Sequence, residues 1–126
     1  MNQLLVVALG GAIGAASRHL VNIFILKFTV TSFPWGTFAV NVIGCFLMGI
    51  IVELLVLRGS TSQELRLFLA TGVLGGFTTF SAFSLDTALL LEREEMLLTA
   101  LYVLGSVSLS IGALFLGLMI TRSMLS

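Results

Sequence analysis

The run from Thr71 to Asp86, TGVLGGFTTFSAFSLD, gathers side chains that could handle an ion within an otherwise apolar segment. Gly75 and Gly76, followed by Thr78 and Thr79, weaken a helix by about 1 kcal/mol per glycine and less per threonine. A break there would free backbone carbonyls, which a bilayer tolerates only where they are buried in protein or line a cavity. Carbonyls freed in this way coordinate alkali cations in the broken helices of transporters. The competing reading is a continuous helix whose Thr hydroxyls bond back to the preceding turn. Phe80 and Phe83 stand three apart, on one helical face. Their companions Ser81, Ser84, Asp86 and Thr87 suit lipid poorly. A phenyl ring is negative on its face and positive at its edge, so two rings held edge-on to a path could attract a small anion without trapping it.

Other segments add polar groups in register. Thr37 and Asn41 are four apart, with Gly44, Cys45 and Met48 continuing the face. The Asn41 amide could donate two N–H bonds to an anion; as a tie between helices it would contribute only about 0.6 kcal/mol. Tyr102, Ser106 and Ser110 form a hydroxyl stripe at four-residue spacing, either a polar wall or a set of interhelical bonds. Arg18 falls a turn or two from the end of its segment, where snorkelling is affordable and its charge could recruit anions to a pore mouth. His19 reads as interfacial. Glu53 and Asp86 are carboxylates within apolar runs and so functional candidates, but neither lies where a proton-coupled carrier would need it, at the midplane.

The elements that must position these groups follow from composition. The chain has 126 residues, 58% of them apolar and 10% charged, against about 25% charged in soluble domains. With a mean hydropathy of +1.16, this is an integral membrane protein. A crossing needs about 20 apolar residues, leaving no room for a soluble catalytic domain. Four spans are expected, near Leu4 to Leu26, Trp35 to Leu57, Leu67 to Leu91 and Met96 to Ile120, as one all-α domain over residues 1–126. Short separators make neighbouring helices antiparallel. Pro34 and Trp35 suit the first turn of the second span, and Ser60, Thr61 or Ser62 can cap the third. The pairs Gly10/Gly14 and Gly72/Gly76 let backbones approach closely. No basic region precedes the first span, which is expected to persist as a helix rather than be cleaved. Zero formal net charge without a Lys/Arg cluster argues against nucleic acid, and the single Cys45 excludes a disulfide framework. No Walker-type phosphate loop is present.

Arg58, Arg66 and Arg122 fall on the side of the termini, against Lys27 and Arg93 on the other, with Arg18 nearer the latter. Because Lys/Arg asymmetry sets orientation, so small a bias allows insertion both ways and an antiparallel dimer with its two-fold axis in the membrane plane. A weak bias that still fixes one orientation is the alternative.

Three ordered stretches carry a resemblance: Gly10-Gly-Ala-Ile-Gly-Ala through Arg18, Pro34-Trp-Gly-Thr-Phe-Ala-Val-Asn41, and Thr71 through Ser84. Together they resemble the Fluc family of fluoride channels, also called CrcB proteins, four-span membrane proteins that export fluoride from microbes. The resemblance covers essentially the whole length. It implies a dual-topology antiparallel homodimer in the inner (plasma) membrane, contacting lipid, with two pores along the subunit interface and a central structural sodium ion (Na+). Gly75 and Thr78 would give main-chain carbonyls to that ion. Phe80 and Phe83 would line the fluoride path with their ring edges, Asn41 would donate to fluoride, and Ser81 and Thr37 would belong to the polar lining. Tyr102, Ser110 and the vestibule charge Arg18 are further candidates. Many relatives carry Thr where this chain has Ala82 and Glu where it has Asp86, so the track beside the phenylalanines is altered.

Fluoride is small, strongly hydrated and a strong acceptor, so a selective pore must replace its water with donors such as Asn41 and Ser81. Such a path needs neither a proton carboxylate nor nucleotide, and passive conduction is expected. The alternatives are a small dual-topology ion- or proton-coupled multidrug carrier and a purely structural partner in a larger complex. An enzyme is excluded, since no nucleophile, base and orienter come together.

Overall fold

Apolar runs bounded by short polar separators fold into helices long enough to cross a bilayer. The computed structural model describes residues 2–29, 31–58 and 61–125, the side chains of 56–58 excepted. Its elements are α1 (Asn2–Leu26), α2 (Trp35–Arg58), α3 (Gln63–Arg66), a π-helical segment (Leu67–Leu74), α4 (Gly75–Phe77), α5 (Phe80–Glu92) and α6 (Met96–Leu125). Four stretches are long and apolar enough to span: Asn2–Leu26, Trp35–Leu55, Gln63–Glu92 and Met96–Leu125. The protein is therefore an all-helical, multi-pass membrane protein, with the expected spans recovered to within a few residues. Large side chains such as Leu4, Leu20, Leu104 and Met119 are exposed, as lipid-facing groups should be.

Local signals explain most of the ends. Ser62 caps α3, its hydroxyl accepting from the Leu65 N–H at 3.1 Å; Ser60 lies outside the described residues. Pro34 stands just ahead of α2 rather than inside its first turn, and its carbonyl accepts from the Phe38 N–H at 3.2 Å. The α5–α6 turn closes with the Glu95 N–H on Leu90 O and the Glu94 N–H on Leu91 O, the paired bonds of a Schellman cap. Glu94 holds the left-handed position of that cap, at φ 59°.

The third crossing departs from a uniform helix in two ways. The expected break is present, because Thr78 (φ −87°, ψ 158°) and Thr79 (φ −154°, ψ 121°) are extended. The continuous-helix reading is thereby excluded. Ahead of it, Leu67–Leu74 winds as a π-helix, a feature that hydrophobic patterning did not announce.

Glycine seams bring the crossings together. A Cβ at Gly14 would collide with the Val73 carbonyl, and one at Gly76 would sit 2.7 Å from Gly11 O. Gly49 and Gly117 interlock α2 with α6 against the carbonyls of Leu114 and Phe46. Near the far end of α2, buried Glu53 takes a two-point ion pair from Arg122, Nε to Oε1 at 3.0 Å and Nη2 to Oε2 at 3.0 Å. That pairing gives Glu53 a structural partner. An aromatic core of Phe83 and the fully buried Tyr102, with Phe33 and Phe38 against it, fills the opposite end.

Candidate functional site

The break is held from three directions. From α2, Asn41 Oδ1 accepts the Thr79 N–H at 2.7 Å, and Asn41 Nδ2 donates to Thr79 O at 3.0 Å. From α1, Arg18 Nε donates to Gly76 O at 3.0 Å. Within the crossing, the Thr79 hydroxyl caps α5 by accepting the Ala82 N–H at 3.1 Å, and both the N–H and the hydroxyl of Thr78 donate to Leu74 O at 3.0 Å.

These bonds decide which carbonyls are left over. In an unbroken helix Gly75 O would receive the N–H of residue 79 and Thr78 O that of residue 82. Here the first N–H is taken by Asn41 and the second by the Thr79 hydroxyl. Gly75 O and Thr78 O, three residues apart in sequence, thus lose their ordinary donors, while Gly76 O between them takes the Arg18 N–H instead. Such hard, neutral oxygens fit an alkali cation, and no cluster of His, Cys, Asp or Glu suited to another metal occurs among the described residues.

Beside the break lies a groove of about 360 Å³, lined by Asn41, Cys45, Phe80, Phe83, Ser106 and Ser110 among others. Its donors are not exhausted. The hydroxyls of Ser106 and Ser110 are buried without a hydrogen-bond partner, a state that normally marks a missing water or ion. Asn41 has one of its two amide N–H groups on Thr79 and the other available. The Phe80 and Phe83 rings adjoin, with centroids 5.5 Å apart and planes tilted by 49°. They differ in surroundings, Phe83 lying buried against Tyr102 while Phe80 is 77% exposed.

The remaining sequence candidates separate from this groove. Thr37 and Asp86 line a second cavity of about 300 Å³ with Asn22. Tyr102 reaches toward it by donating from its OH to Asp86 Oδ2 at 3.0 Å. Asp86 is therefore a tyrosine partner in this chain. Ser81 is exposed and shares a 3.2 Å hydrogen bond with the Thr79 hydroxyl. Arg18 points at the break and is not among the residues lining either cavity. His19 is exposed. Sequence reasoning left Thr79 without a role of its own, although a threonine opening a fresh helix is an N-cap signal. It left Ser106 in the stripe without choosing it, and nothing short of its burial singles it out.

Comparison with known proteins agrees with the motifs. Residues 5–118 match the family model described as CrcB-like protein, Camphor Resistance (CrcB). A fluoride-specific ion channel FluC of Agrobacterium fabrum is 51% identical over 124 residues, covering 98% of this chain and 99% of the relative. One from Chelativorans is 56% identical over 125 residues, 99% and 100% of the two chains. Both carry the name of a channel rather than of an enzyme. With the match running through all four crossings, this chain belongs to the CrcB family.

Proposed function

We propose that the protein conducts fluoride passively across the plasma membrane. The observation that carries this reading is the groove, where the free N–H of Asn41 and the unpartnered hydroxyls of Ser106 and Ser110 meet the phenyl rings. These donors replace fluoride's water without a cation that would hold it. Phe80 and Phe83 contribute ring edges, and Thr37, Tyr102 and Ser81 continue the polar lining beyond the groove. Relatives named as fluoride-specific channels support the choice of anion.

The groove is open along Phe80, and a second, antiparallel copy would close it, giving two pathways per homodimer. The carbonyls of Gly75 and Thr78 from both copies would then hold a structural sodium ion on the two-fold axis, fixing the broken crossings against each other. Arg18 adds positive potential close to the path. The near balance of Lys and Arg between the two sides supports insertion in both orientations.

The test is efflux from liposomes carrying the purified protein, with potassium gradients clamped by an ionophore. Voltage-driven fluoride loss with little chloride loss is expected. Flux that saturates, follows a proton gradient or requires a bulky organic cation would favour the coupled carrier instead.

A further inference from the structure

We propose that Arg18 is a positioning residue that assigns the carbonyls of the break, rather than chiefly an entrance charge. This rests on the cation site and fluoride path proposed above. Gly10, Gly14 and Arg18 follow one another at four-residue spacing along α1, so they share a face. The two glycines bring that face against the backbone of the third crossing: a Cβ at Gly10 would lie 2.6 Å from Phe68 O, and one at Gly14 2.8 Å from the Phe77 N. One turn further, the side chain of Arg18 reaches the same crossing and donates Nε–H to Gly76 O at 3.0 Å.

The break interrupts the helix ladder across several carbonyls, and its ties sort them. Thr79 O is taken by Asn41, Leu74 O by Thr78 and Gly76 O by Arg18. Gly76 lies directly after Gly75, so fixing its peptide plane limits rotation of the neighbouring carbonyl that the cation would use. Without the tie, Gly76 O is an orphan in the membrane interior and turns to find a donor or the cation itself. Arg18 thereby excludes Gly76 O from the ligand set and steadies Gly75 O within it.

Positioning and charge make opposite predictions for sodium. Removing a nearby positive charge strengthens cation binding, whereas removing a positioning bond weakens it. Glutamine and methionine separate the two, because Gln Nε2 stands the same number of bonds from the backbone as Arg Nε and can donate, while methionine places a methyl there. Both lack the charge.

The experiment is a sodium titration of the melting midpoint of the purified full-length protein, with N-methylglucamine chloride holding ionic strength constant, alongside fluoride efflux. Arg18→Gln is expected to keep the wild-type sodium midpoint within about threefold. Arg18→Met is expected to raise that midpoint about tenfold or more, the scale of a lost charge-assisted hydrogen bond, and to lose flux that high sodium, but not high N-methylglucamine, restores. Equal behaviour of the two variants, or tighter sodium binding in either, overturns the proposal. If Arg18→Met does not fold, Arg18→Gln decides alone, a shifted midpoint counting against positioning. A wild type that melts independently of sodium refutes the cation site and overturns the proposal with it, whereas one that passes no fluoride refutes the channel and leaves the sodium titration to judge Arg18.

Discussion

Asn41 and Thr79 are joined twice, the amide oxygen taking the threonine N–H at 2.7 Å and the amide nitrogen giving to the threonine carbonyl at 3.0 Å. A side chain of α2 thus stands in for the missing helix ladder of the third crossing. The reading of Asn41 as a tie between helices therefore stands beside the anion reading, since its oxygen and one of its two N–H groups maintain the break.

Asn41→Asp keeps the acceptor for Thr79 N–H but removes both N–H donors. Fluoride efflux is expected to vanish, and the fold to lose about 1–3 kcal/mol, the usual cost of leaving a buried acceptor unpaired. Efflux and thermal melting of the same preparation check both parts. A fully active Asn41→Asp would remove Asn41 from the mechanism.

Cys45 lines the groove beside Asn41 and Ser110. A small methanethiosulfonate reagent is expected to slow fluoride efflux from the wild type and to leave Cys45→Ala untouched. Labelling without any change in flux would mean that the ion passes elsewhere.

The Glu53–Arg122 pair ties α2 to the end of α6, far from the break. Arg122→Met leaves a buried carboxylate unpaired and should lower the melting midpoint, whereas the exchange Glu53→Arg with Arg122→Glu should recover part of it. Flux per folded protein is expected to stay near wild type in both. A large flux defect in the exchanged protein would give the pair a role in conduction.

Glu94 occupies the left-handed cap position with a side chain that disfavours it. Glu94→Gly should stabilise the protein by about 1 kcal/mol, seen as a higher melting midpoint with flux unchanged; Glu94→Val should do the reverse.

The crossings, the Gly10/Gly14 seam, the Ser62 cap and the break were legible because each rests on a local propensity or a short spacing. The π-helical segment was not, since LFLATGVL carries no residue that prefers a wider turn. The partners of long polar side chains were hidden for a different reason. Arg18 meets a carbonyl 58 residues away and Arg122 a carboxylate 69 away, pairings that only the packed crossings define. Asp86 read as an isolated intramembrane carboxylate until Tyr102, sixteen residues on, supplied its donor. Thr37 and Asn41 share a face of α2 yet open into different cavities, which spacing cannot reveal.

The extended pair Thr78–Thr79 sits near the middle of the 30-residue crossing Gln63–Glu92. Helical backbone runs up to it from one side and away from it on the other, so the partial negative end of one peptide dipole array faces the partial positive end of the next across two residues. A single interrupted crossing thereby presents a negative and a positive end at the same depth, with Arg18 as an ionised side chain bonded to the break itself. Depth, normally the most hostile place for charge, becomes the place where both signs can be received.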